Sequence, residues 1–202
     1  MTELPLTTRR ERRIAARTQQ ILDAAAYVFS KVGYESATTK QIAEAADVSE
    51  GTLYNYFKSK QELLIEIAKA YADEVAADLA TVEGNTLEEI LAQLMAKRFR
   101  VGQERRLFMV FLHEARHNAD VHQYYVEGAI HRIIQEAENH ISTLVEAGRI
   151  RDVDPFIAAR TMCAAIMGFA ALFELGVTVN HSSPEKLGHQ VTDIFLNGLK
   201  KN

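Results

Sequence analysis

Two stretches of this chain combine residue types and spacings that could do chemistry. His113-Glu114-Ala115-Arg116-His117 has the pattern H-E-x-x-H. On a helix, histidines four residues apart share a face and can hold zinc, with the glutamate as general base. The scaffold that usually carries this chemistry includes strands. The candidate third ligands His122, Glu127 and His181 stand at no indicative spacing. The simpler reading is a polar helix face with a local Glu/Arg network, a metal-sensing or ligand-polarising His pair being the alternative. We expect no catalytic residue, no cofactor and no bound metal. The second stretch is Thr38–Lys60, TTKQIAEAADVSEGTLYNYFKSK. Upstream of it Arg9, Arg10, Arg12, Arg13 and Arg17 form a basic cluster, either a solvated helix start or an arm that neutralises DNA phosphates.

The elements that must position these residues read as helices throughout. Ile14, Ile21, Leu22, Ala25, Val28, Phe29 and Val32 repeat near a 3.6-residue period, and Gly33 follows as a cap. Thr38-x-x-Gln41 and Ser59-x-x-Glu62 have capping-box spacing, and Asp47-Val48-Ser49 marks a turn with Ser49 as N-cap. Between them lie two helices too short to be stable alone, so they must pack on each other and on a neighbour. Two short helices around a tight turn are the logic of a helix-turn-helix, whose second helix enters the major groove of DNA. A longer helix from about residue 60 to 82 follows, ending at Gly84-Asn85. Further helices are expected over 86–99, 105–117, 121–147 and 155–177, with a last one from Ser183-Pro184. Asp154-Pro155 is a strong helix start.

Composition agrees. The 202 residues are 48% hydrophobic and 25% charged, with a net charge of −4. Residues 1–60 carry +2 and the remainder −6, an asymmetry that suits a nucleic-acid module attached to an acidic body. The single cysteine, Cys163, excludes an intrachain disulfide and fits a reducing cytoplasm. The polar, Arg-rich beginning has no signal-peptide pattern, and no run of about 18 uninterrupted apolar residues suggests a membrane partner. The fold class is therefore all-α: an N-terminal three-helix bundle with a helix-turn-helix over residues 1–58, then a larger helical domain over 59–202.

The run TTKQIAEAADVSEGTLYNYFKSKQELL, after a helix ending in VGYESAT, resembles the DNA-binding domain of the TetR family of transcriptional regulators, specifically over about residues 15–65. The resemblance implies a homodimeric repressor that binds double-stranded DNA, with 59–202 as the effector-binding and dimerisation domain and its last two helices pairing with the partner subunit. It places DNA-facing residues at Thr39 and Lys40, at Glu50, Gly51, Thr52, Tyr54, Asn55 and Tyr56, and at Lys60. Their chemistry is compatible. Thr39 and Lys60 open helices as expected phosphate contacts, Gly51 lets backbone approach closely, and Thr52 offers a methyl and a hydroxyl to base edges. Tyr54 is a phosphate donor, and Asn55 can pair with adenine. Tyr56 divides equally between core ring and DNA contact. Glu50 is read as a solvated carboxylate at a helix start, cytosine reading being the alternative. Leu53 and Phe57 are core.

For the larger domain, Phe99, Phe108, Phe111, Leu112, Tyr124, Tyr125, Met167, Phe169 and Phe173 are spread over four helices. With Arg116 as a polar group, they are expected to line a cavity for a small hydrophobic effector. Glu114-x-Arg116-x-Asn118 and ARTMCAAIMG are loosely similar to the fatty-acid-degradation branch of the family, whose effectors are acyl-CoA thioesters. Cys163, among small apolar residues, is expected to be a buried, inert thiol.

Overall fold

The computed structural model describes residues 8–81, 102–177 and 184–198. Among them every regular element is a helix, so the chain is all-α as expected. It divides into two compact units, Met1–Ala68 and Lys69–Asn202.

The first unit contains α1 (Arg9–Val32), α2 (Thr39–Ala45), α3 (Glu50–Tyr56) and the beginning of α4 (Lys60–Thr81). Each start is set by a side chain that accepts from an otherwise unpaired amide. Thr8 and Glu11 form a capping box on α1, which draws the whole arginine cluster into regular helix. Thr38 and Gln41 do the same for α2, and Ser49 accepts from the Thr52 amide on α3. At α4, Ser59 accepts from the Glu62 amide, while the Glu62 carboxylate reaches back to the Lys58 amide. Gly33, at φ 80°, ends α1, and Asp47, at φ 50°, makes the turn between α2 and α3. Ile21, Phe29, Ile42, Leu53, Leu63 and Leu64 are completely buried. Ile14 and Val32, expected on the apolar face of α1, are instead exposed at its two ends. The compact unit extends to Ala68, with Leu63, Leu64, Ile67 and Ala68 all buried.

The second unit holds the rest of α4, then α5 (Gly102–Glu114), a three-residue turn of helix α6 (Ala119–Val121), a π-helical segment (His122–Ile130), α7 (His131–Glu146), α8 (Pro155–Glu174) and α9 (Pro184–Asn197). The long helix expected over 121–147 is thus present from Asn118, whose side chain caps it, but its first third is wound with π geometry. A hydrophobic repeat does not report that change. Within this segment α4 approaches closely at Gly128, where a Cβ would stand 3.3 Å from the Ala72 side chain. Ile141, Leu144, Ala159 and Met162 knit α7 to α8. Ala72, Val75 and Ala129 knit α4 to the π segment. Asp154 caps α8 with Pro155 in its first turn. By length and hydropathy alone α8 could cross a membrane, yet little of it is buried within the chain. Phe156, Ile157, Leu172, Leu175, Val177 and Ile194 are all exposed around α8 and α9.

Candidate nucleic-acid interface and effector cavity

The nucleic-acid candidate is built on α2 and α3. Leu53 and Phe57 point into the core and so fix which face of α3 is outward. Lys40, Glu50, Gly51, Tyr54 and Asn55 are exposed, and Thr39, Thr52 and Tyr56 are half-buried. Three side chains meet across the two helices. Thr39 Oγ1 donates to Glu50 Oε1 at 3.0 Å, and the Tyr54 hydroxyl lies 3.2 Å from Thr39 Oγ1. Glu50 is thus the exposed carboxylate expected in the first turn of α3, and it is in addition the end of a hydrogen-bonded chain. The Ser49 and Thr52 hydroxyls bond each other at 2.9 Å. Tyr56 borders an open groove with Arg9, Arg10, Arg13 and Arg17 of α1, so the basic cluster and α3 share one surface of the unit. Gln20 Nε2 donates to the Ala46 carbonyl at 2.8 Å and ties α1 to the end of α2.

Lys60 differs from expectation. Its Nζ donates to the carbonyls of Tyr34 (2.7 Å), Glu35 (3.2 Å) and Ala37 (3.1 Å) and stands 4.4 Å from the centroid of the Tyr34 ring. An ammonium has three N–H donors, and all are used. The side chain clamps the α1–α2 connector to the start of α4 and has no donor left for a phosphate.

The second unit carries a partly open apolar pocket of about 90 Å³. Of the expected residues, Phe108, Tyr125 and Met167 line it. Phe111 lies behind the wall, its ring 4.6 Å from that of Tyr125. Phe173 stacks under the Arg105 guanidinium at 5.3 Å instead of lining the space. Tyr124 sits 4.9 Å under the Lys69 ammonium. Leu112 and Arg116 are exposed, and Phe169 is half-buried away from the lining. Phe99 lies outside the described residues, as does the helix expected over 86–99. Sequence reasoning missed the aliphatic wall of Ile133, Ile134 and Ile166, together with Tyr71, Glu104 and Arg105. Arg105 Nε donates to Glu174 Oε1 at 3.0 Å, an ion pair between α5 and α8 beside the cavity. Nothing in the local pattern of RRLF marks Arg105 as inward. Cys163 also lines the cavity, and burial pushes its thiol up from 9.0 to about 11, against a smaller opposing effect of Arg160.

The H-E-x-x-H stretch does not form the expected helical pair. Helix α5 stops at Glu114, and the Asn118 amide bonds the Glu114 carbonyl at 2.9 Å, turning the chain. The His113 and His117 rings are 5.6 Å apart, and His113 is largely exposed. Among the described residues no three His, Cys, Asp or Glu side chains converge as a metal site would require.

A helix-turn-helix unit, in one chain with a helical unit that carries an apolar pocket, defines a ligand-responsive DNA-binding transcriptional regulator. The chain belongs to the TetR family. Residues 21–67 match the bacterial regulatory proteins of the tetR family, and residues 85–197 match the C-terminal domain of AefR-like transcriptional repressors. It is 27% identical to the HTH-type transcriptional regulator YvkB of Bacillus subtilis, over 90% of this chain and 96% of that one. It is 26% identical to the HTH-type transcriptional repressor KstR2 of Mycobacterium tuberculosis, over 93% and 95%. In fold it is similar to FadR of Bacillus subtilis, solved in complex with stearoyl-CoA, with a TM-score of 0.71 and 22% identity over 90% of this chain and 99% of that one.

Proposed function

We propose that this protein is a homodimeric repressor, acting in the cytoplasm, that leaves a palindromic operator when a small apolar effector binds. Residues 1–58 carry the DNA contacts, and 59–202 carry effector binding and dimerisation. The observation that supports this best is the pairing of an outward, polar α3 face in one unit with a partly open, almost wholly apolar pocket in the other. The exposed apolar side chains of α8 and α9 support a partner subunit at these helices. Burial of such side chains stabilises by roughly 25 cal/mol per Å² of apolar surface, and their isolated exposure would favour association. In a dimer the two α3 helices address successive major grooves, about 34–36 Å apart.

The effector is read as a small molecule with an apolar body, an acyl-CoA with its apolar acyl chain being one candidate, given the stearoyl-CoA bound to FadR. A cavity of about 90 Å³ is small beside the roughly 300–1,000 Å³ of drug-sized sites. Effector entry therefore requires the walls to part, which links occupancy to conformation and supports a population shift away from the DNA-binding state. The test is operator binding by the purified protein, measured with and without stearoyl-CoA and a panel of neutral apolar compounds, alongside sedimentation analysis of its mass. Dimers that release the operator with at least one compound are expected. Operator affinity unchanged by every compound would sink the effector reading, and a monomer would sink the dimer.

A further inference from the structure

The chain of hydrogen bonds across α2 and α3 has a fixed direction. Thr39 has one hydroxyl proton and gives it to the Glu50 carboxylate at 3.0 Å. A carboxylate has no proton to return. The contact of 3.2 Å between Thr39 Oγ1 and the Tyr54 hydroxyl must then be donated by Tyr54. Protons run from Tyr54 to Thr39 to Glu50, and both hydroxyl protons are consumed. What this group offers to an incoming duplex is lone pairs alone.

Lone pairs do not suit phosphates, which are themselves acceptors. In the major groove they suit the exocyclic amino groups of cytosine and adenine. The two bases differ beside that group. Adenine carries its N7 acceptor beside the amino group on the same base, where it faces a carboxylate unfavourably, whereas cytosine carries no major-groove acceptor of its own. There is also room for a base at this point: beside Glu50, only Ser49 Oγ, at 3.9 Å, lies within reach of where a Gly51 side chain would begin.

We propose that Glu50 reads a cytosine amino group in the operator, with Thr39 and Tyr54 as positioning residues that hold its carboxylate in place. The inference rests on the DNA-binding reading of α3. It makes Tyr54 a determinant of specificity and not a phosphate donor.

The experiment is selection of operators from random duplexes by the full-length protein, followed by competition among the four base pairs at each selected position. For the wild type, one position per half-site should prefer cytosine by about tenfold or more. Glu50→Ala should flatten that position alone. Glu50→Gln is the sharper variant. Its amide oxygen keeps the Thr39 proton and turns the NH2 group outward, so the outward group becomes a donor and cytosine becomes the disfavoured base. Tyr54→Phe should relax the same position more than it weakens binding to all sequences. An unchanged cytosine preference in Glu50→Ala overturns the proposal. So does an equal gain in affinity for every duplex, which would make Glu50 a carboxylate that only repels phosphates. If the wild type enriches no duplex at all, the DNA-binding reading fails and this inference falls with it.

Discussion

The two units of this chain are organised by opposite kinds of interaction. In the first, polar contacts of short reach set the geometry: Thr8, Thr38, Ser49 and Ser59 each cap a helix, and Lys60 holds three carbonyls. In the second, packing sets it: rings of Tyr71, Phe111 and Tyr125 lie 4.6 to 6.2 Å apart, and an apolar cavity replaces part of the core. A surface that must present fixed donors and acceptors to a rigid duplex needs the first design. A site that must open for an apolar guest is served by the second, because apolar contacts are non-directional and can be remade after movement.

Substitutions that exchange the two designs test the contrast, and the largest effect should come from a core position in the polar unit. Leu53, completely buried, orients α3. Leu53→Ala should cost about 2–5 kcal/mol, from lost transfer energy plus the cavity left behind. Thermal unfolding and operator binding should both collapse. Retention of near-native operator affinity would show that capping alone holds α3 in place.

The next effect belongs to the apolar unit and depends on pH. Cys163 is raised from 9.0 to about 11 by burial. The unfolded chain therefore loses this proton first, so the stabilisation is complete below pH 9 and is lost as pH rises toward 11. The loss approaches about 3 kcal/mol. Denaturation followed from pH 8 to pH 11 should fall less steeply for Cys163→Ala than for the wild type. Equal slopes would mean that the thiol is solvated.

How much could be read in advance follows the same division. Thr38-x-x-Gln41, Ser49, Gly33 and Asp154-Pro155 are local signals, acting within four residues, and each is used as its spacing implies. The partnership of Thr39 with Glu50 and Tyr54 spans eleven and fifteen residues and depends on how α2 meets α3, so no local pattern announces it. Lys60 illustrates the cost of reading charge without geometry: its partners are carbonyls more than twenty residues earlier. The cavity was legible as a class, since Phe108, Tyr125 and Met167 line it. Residue type alone points Phe173 and Tyr124 to the cavity, whereas their rings are taken up by Arg105 and Lys69. The π winding of His122–Ile130 has no counterpart in the hydrophobic repeat, which reads as one continuous helix over 121–147.

Lys60 supplies the third test. Lys60→Met keeps most of the apolar stem and removes the ammonium. With three carbonyls deprived of a charged donor, stability should fall by about 1.5–3 kcal/mol. Below the unfolding range, the salt dependence of operator binding should keep its slope, because no phosphate contact is lost. A slope reduced by about one unit would instead return Lys60 to the phosphate-binding set.

The smallest effect on stability should accompany a complete loss of regulation, and it separates the two designs most cleanly. Ala170 of α8 lines the cavity. Ala170→Leu adds apolar volume to an existing space, so its stability should change by less than about 1.5 kcal/mol in either direction. The same atoms occupy the room that an effector must enter. Operator affinity should stay at the wild-type value, since α2 and α3 are untouched, while release by an otherwise active apolar compound should disappear. Release that persists undiminished would mean that the effector binds elsewhere in the second unit. Operator binding that weakens in Ala170→Leu without any ligand would mean that filling the cavity is itself the signal, with the added methyl groups standing in for the effector.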